Sequence, residues 1–99
     1  MKKIIIDVNS DAVNNTLNVE VIRRSDDVVV FHKLLEGDFG TAQIDVENLD
    51  AQTKYKIAVW GATTGKIELS ISGDIQDPNP IERELEEALD KTFFVETNH

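Results

Sequence analysis

Apolar and polar residues alternate with period two along much of the chain, the pattern of strands with one buried face. Ile4, Ile6 and Val8 share one phase, as do Leu17, Val19 and Val21, then Ala42, Ile44 and Val46. The spacing predicts strands over 3–8, 16–23 and 41–49. Val28-Val29-Val30-Phe31-His32 is β-branched and aromatic without clear alternation, as expected of a strand covered on both faces. Between these runs, 9–15, Ser25-Asp26-Asp27 and Glu36–Gly40 carry the short polar residues and glycines of loops and reversals. Tyr55, Ile57 and Val59 form the inward phase of a fifth strand, with Lys56, Ala58 and Trp60 on its outer phase. Gly61-Ala62-Thr63-Thr64-Gly65 reads as a turn into a sixth, Lys66 to Gly73, with Ile67, Leu69 and Ile71 inward.

The segment from Asp77 is different material. Asn79 stands as an N-cap, Pro80 at a first helical position and Glu82 three residues after the cap, so three start signals agree on a helix beginning at Pro80. At 100° per residue Ile81, Leu85, Ala88, Leu89, Thr92 and Phe93 fall within one arc, with acidic residues along its edge or opposite. The expected architecture is therefore a mainly β antiparallel sandwich of about six strands over 1–76, followed by an amphipathic helix and tail over 77–99. An isolated helix of this length is marginal in water. Its apolar face is expected to cover the outer sheet surface that carries Ala58, Trp60, Ile5 and Ile22.

The order Leu49, Thr53, Tyr55, Ile57, Val59, then Gly65 resembles the corner and penultimate strand of fibronectin type III and related immunoglobulin-like domains. The resemblance covers about a fifth of the chain. It implies a tyrosine corner, with the Tyr55 hydroxyl bonded to corner backbone. Because the β part is short for seven strands, a reduced or variant sandwich is expected, with the first, second and fourth strands in one sheet and the third, fifth and sixth in the other; a jelly-roll or partly open barrel is the alternative. The family's second-strand Trp is replaced by Val21 and Ile22. The resemblance implies a fold and no activity.

Composition narrows the function. The chain has 99 residues, enough for one cored domain and too few for two. It has no cysteine, which excludes disulfides, thiolate metal sites and Cys nucleophiles. A net charge of −9 argues against nucleic acid and anionic membrane as partners. Met1-Lys2-Lys3 is followed by only three apolar residues, too few for a secretory signal, and no window is long enough for a membrane span. A cytoplasmic protein and a mature secreted domain are both compatible with the sequence.

Candidate chemistry is sparse. His32 is the only histidine away from the terminus, and the Ser and Thr residues lack a nucleophile context, so no catalytic residue is assigned and no enzyme is expected. The acidic loops at Glu36-Gly37-Asp38 and Asp74–Asp77 do not follow a calcium-loop pattern, because a Pro-rich stretch replaces the required Gly and later ligands; no metal or cofactor is expected. Trp60, the single Trp, and Phe94, which falls off the helical arc, are the binding candidates, with Trp60 also read as a residue packed under the helix. The leading expectation is a non-catalytic protein-interaction module with an unknown protein partner, as a monomer or weak homo-oligomer. A structural or assembly subunit that self-associates through the acidic helix is the first alternative, and a carbohydrate-binding module the second.

Overall fold

A computed structural model describes the backbone of all 99 residues and every side chain except that of Glu87. Six strands follow in order: β1 (Lys2–Ser10), β2 (Asn15–Arg23), β3 (Val28–Glu36), β4 (Thr41–Leu49), β5 (Lys54–Gly73) and β6 (Ile81–Glu96). At about 3.3 Å per residue, a flat strand as long as β5 would measure roughly 66 Å. The longest dimension of the molecule is 39 Å, so β5 is bent.

The bend organises everything else. The first half of β5, Tyr55 to Thr63, pairs with β2, and its second half, Ile67 to Gly73, pairs with β1. β6 runs antiparallel along the opposite side of both halves. β1 and β2 therefore behave as one strand interrupted at 11–14, beside the place where β5 turns. β3 flanks β2 and β4 flanks β1, so each half has an outer strand, then β2 or β1, then half of β5, then half of β6. The sheet curls into a half-barrel, and its inner faces meet over a core of Leu17, Val19, Val21, Ile57, Val59 and Phe93 from one half and Ile4, Ile6, Val8, Ile67, Leu69 and Leu85 from the other.

Sequence explains the bend locally. Between Ala62 and Lys66 the register slips: β5 advances four residues while β6 advances two, from Ala88 to Glu86. Gly61 has φ of 146°, a region that side chains rarely adopt, and a Cβ there would strike the Thr16 carbonyl oxygen. One buried side chain pins the neighbouring loops to the bend. The Asn15 carbonyl oxygen accepts from Ser10 Oγ at 2.8 Å and Thr63 Oγ1 at 2.6 Å, while its amide donates to the carbonyls of Ala12 at 2.9 Å and Gly37 at 2.8 Å. Both lone pairs and both protons of that amide are used. Asp11 adds a carboxylate that accepts the Lys66 N–H at 2.8 Å.

At the other end the curl closes on itself. Ile75 pairs with Thr97, and Gln76 N–H donates to the Glu96 carbonyl at 2.9 Å, so the turn after β5 meets the end of β6. Buried Thr97 donates its hydroxyl proton to the Asp50 carbonyl at 2.6 Å and accepts the Thr53 N–H at 3.0 Å. The tyrosine corner bond is present beside it: Asp50 N–H donates to the buried Tyr55 hydroxyl at 3.0 Å.

Three expectations are corrected. The segment after Asp77 is not a helix: it is strand β6, hydrogen-bonded to β5 and continuous with the same sheet, so no boundary separates 1–76 from 77–99. Asn79 does not cap anything; its amide donates to the carbonyls of Gly73 and Ile75 and braces the turn. Gly61–Gly65 does not reverse the chain, because the fifth and sixth expected strands are two halves of β5. The sheets are also grouped differently, with β1 and β4 in one half and β2 and β3 in the other. The antiparallel all-β character stands. The immunoglobulin or fibronectin assignment is not supported, because one bent sheet with β5 and β6 crossing both halves replaces two separate sheets.

Two substitutions check this frame. Gly61→Ala should destabilise the chain by about 3 kcal/mol in a denaturant titration, since it combines a forbidden φ with a backbone clash. An effect as small as that of an exposed surface change would mean that β5 does not bend there. Tyr55→Phe keeps the ring but strands the Asp50 N–H, and should cost roughly 1 kcal/mol; an unchanged unfolding midpoint would show that the corner bond contributes nothing.

Candidate interaction surface

Curling leaves the molecule two outer faces, and they are chemically opposite. On the half built from β1, β4, the end of β5 and the start of β6, the cross-strand row Gln43, Asp7, Ser70 and Glu82 lies beside the row Thr41, Asn9, Glu68 and Glu84. All of these but Gln43 line a shallow depression of about 560 Å³ that also holds Arg83. Lys66 bridges Glu84 at 3.3 Å and Glu86 at 3.7 Å, and its ammonium pKa is raised chiefly by the hydrogen bond to Glu84. Among the described residues no three His, Cys, Asp or Glu side chains are placed to hold a metal ion. This face is a solvated polar surface.

The other face is built from β3, β2, the start of β5 and the end of β6. Its rows read Leu34, Asn18, Trp60, Asp90; then His32, Glu20, Ala58, Thr92; then Val29, Ile22, Lys56, Phe94. Trp60 is 38% exposed, Leu34 41%, Val29 50% and Phe94 58%. Leu34, Val29 and Phe94 therefore stand at three corners of a three-row patch and Trp60 beside the fourth, Asp90, with Ile22 between Val29 and Lys56 and small or polar residues at the remaining positions. The His32 imidazole stacks with the Trp60 indole, ring centroids 6.0 Å apart and planes 16° from parallel, and His32 Nε2 lies 3.3 Å from Asn18 Oδ1. The Arg24 guanidinium sits 4.7 Å from the centre of the Phe94 ring, within cation–π range.

Both binding candidates named from sequence thus lie on one face, on opposite sides of the patch. Trp60 is not packed under a helix, because the segment expected to cover it forms β6, and Leu85, Leu89 and Phe93 point into the core instead. His32 was read as a lone histidine in an apolar strand, and its stacking on Trp60 was missed. Leu34 and Val29 were missed as well. No local signal separates them from core residues, since a strand covered on both faces and one with a bare apolar outer face share the same composition.

The turn that feeds β3 into this face is held by charge. Arg23 Nε donates to Asp26 Oδ1 at 3.0 Å and a terminal nitrogen to Oδ2 at 2.8 Å, a bidentate pair, while the Val28 N–H reaches Oδ1 at 3.3 Å. The Arg23 hydrogen bonds hold Asp26 below the usual carboxylate range and raise Arg23 further.

The fold and this face together define a class: a small antiparallel β domain with one polar outer face and one that bears large exposed apolar residues. No protein-family model, curated protein or solved structure matches the chain. The described residues contain no helix long and apolar enough to cross a membrane.

Because the folded-state pKa of Asp26 is depressed, its pair with Arg23 stabilises the turn above the ordinary carboxylate pKa and is lost as pH falls through the lowered value. Melting curves of the native chain and Asp26→Asn should differ at neutral pH and converge in acid. A difference independent of pH would show that ionisation of Asp26 is not what holds the turn.

Proposed function

We propose that the chain is a non-catalytic protein-interaction module that binds through the outer face of β3, β2, β5 and β6. The observation that supports this reading is the contrast between the two outer faces: Trp60, Leu34, Val29 and Phe94 are grouped on one and absent from the other. Exposed apolar groupings with a polar surround mark contact surfaces more often than accident, and Trp is the residue most enriched among binding hot spots. His32 and Arg24 hold the two aromatic rings in place, so little order has to be gained on binding. Carbohydrate recognition has less support, because Trp60 and Phe94 stand on opposite sides of the face and do not form a row.

A photoreactive phenylalanine analogue placed at Phe94, in full-length chain incubated with an extract of the source cells, should give a discrete protein adduct. The same group at Gln43, on the polar half, should not. Trp60→Ala should lower the Phe94 adduct yield by at least about tenfold while leaving the melting temperature close to that of the parent, as expected of a binding hot spot. Equal labelling from both positions, or none from Phe94, would overturn the proposal, and capture of glycans on an array without a protein adduct would replace it with the carbohydrate reading.

A further inference from the structure

The apolar face ends at a free sheet edge, and that edge differs from the others. β4 presents Asp45 and Glu47 along its nine residues. β6 presents Glu82, Glu84, Glu86, Asp90 and Glu96 against Arg83 and Lys91, and two of its core-phase positions, Arg83 and Lys91, are exposed charges. Such charges are the usual means by which an edge refuses another strand. β3 has one Lys and one Glu, no net charge, and exposed Val28, Val29, Val30 and Leu34. Among the described residues no strand pairs with its outer side.

We propose that β3 is a dimerisation edge and that its occupant is the β3 of a second copy of this chain, paired antiparallel about a two-fold axis at Leu34. The inference rests on the interaction face described above and names a partner for its edge. A molecule of net charge −9 repels its own copies, and the edge of no net charge is where two copies approach with the least repulsion. Self-complementarity then selects the register. Val30 is the extra residue of a bulge, with Phe31 opposite Val21 and Val29 opposite Ile22, so the regular part of the strand is Phe31–Glu36. Opposed residues must share a face, which requires the axis to pass through a residue within that part. An axis at Lys33 would oppose two ammonium groups and is disfavoured. An axis at Leu34 opposes Leu34 to its own copy and sets His32 of each chain against Glu36 of the other on the outer face. Lys33 then lies across from Leu35, where its methylene stem covers apolar surface. The row Trp60, Asn18, Leu34 continues through the axis into Leu34, Asn18, Trp60 of the second copy, so two apolar faces merge into one larger surface on a continuous sheet.

The full-length purified chain, without extract, tests this. Sedimentation equilibrium should show a concentration-dependent dimer, and Leu34→Lys should raise its dissociation constant by at least about tenfold while Gln43→Lys, on the β4 edge, leaves it unchanged. Because the native chain has no cysteine, Leu34→Cys gives a second readout that needs no loss of stability. Directly opposed Cα atoms in an antiparallel pair lie within disulfide range, so mild oxidation should convert Leu34→Cys to covalent dimer much faster than Gln43→Cys. A monomer at all concentrations overturns the proposal, as does a dimer insensitive to Leu34→Lys or equal cross-linking from both cysteines. A heterologous peptide strand binding β3 of a strictly monomeric chain would likewise overturn it. These outcomes are separate from the Phe94 adduct, which reports on a foreign partner, so either reading can fail alone.

Discussion

The bend in β5 is the constraint on which the rest of the molecule depends. A 20-residue strand in a 99-residue chain cannot remain flat and still cover a core, because half its length would have nothing to pack against. Folding it at 61–65 brings the inward phase of its first half, Tyr55, Ile57 and Val59, over that of its second half, Ile67, Leu69 and Ile71. Gly61 lets the backbone turn without a side chain against Thr16, and the slip of register takes up the extra length. Both features would be unfavourable in an ordinary strand interior. They are stabilised by what the bend gathers: the Asn15 amide ties the 11–14 loop, the β3–β4 turn and Thr63 to one point with every hydrogen-bonding position filled. A buried amide that is fully satisfied specifies a geometry, whereas one left half-satisfied would oppose it.

Closure at the far end follows from the same geometry. Once β5 is bent, β6 must bend with it, and the turn after Gly73 returns to the end of β6 near Thr97. Thr97 then serves three partners, its backbone meeting Ile75 and its hydroxyl linking Asp50 and Thr53. Asp50 is also the residue whose N–H the Tyr55 hydroxyl accepts, so the corner and the closure share one short loop. This coupling explains why a tyrosine corner can be read from sequence in a chain whose sheets are arranged unlike those of immunoglobulin domains. The corner is a local solution to anchoring a strand entry, and it does not carry the topology with it.

The first, second and fourth strands and the inward phases of both halves of β5 were legible, since each depends on a period-two pattern within one segment; β3 was legible as a strand from its β-branched run, but not as the exposed edge it forms. The last segment was misread for a specific reason. Ile81, Leu85, Leu89 and Phe93 are spaced by four, and four residues is both about one helical turn and two full strand periods. The positions that discriminate are 83, 87 and 91. They hold Arg, Glu and Lys, which fit the polar side of a helix, while a strand would call for apolar residues there. Local pattern, capping signals and helix propensity all favoured the helix. Pairing with β5 over nearly the whole of β6, with five of its apolar residues buried in the core, overrides them. The turn at Gly61–Gly65 was misread by the same limitation, because glycines that permit a reversal also permit a bulged bend. Only the partner strands decide between the two. Of the candidate surface, Trp60 and Phe94 were legible as aromatics off the core phase. Their shared face was not, since it depends on β6 lying beside β5.

Correcting the helix changes what the outer face means. With a helix over it, Trp60, Ile22 and Ala58 would be ordinary second-layer packing and the molecule would have three layers. With β6 in the sheet, the apolar material of the tail is spent on the core, and nothing within the described chain covers Trp60, Leu34 and Phe94. The charges of the tail are then spent on a sheet edge. In β6 the residues that would have formed the polar side of a helix stand along an exposed strand, where they oppose the approach of any further strand. β4 is guarded in the same way by Asp45 and Glu47. Two edges thus carry net negative charge while β3, with one Lys and one Glu, carries none, and the guarding residues also contribute to the net charge of the chain. The net charge of −9 that argues against nucleic acid as a partner therefore has a second physical effect: it makes the approach of another acidic molecule least unfavourable at the edge that carries no net charge.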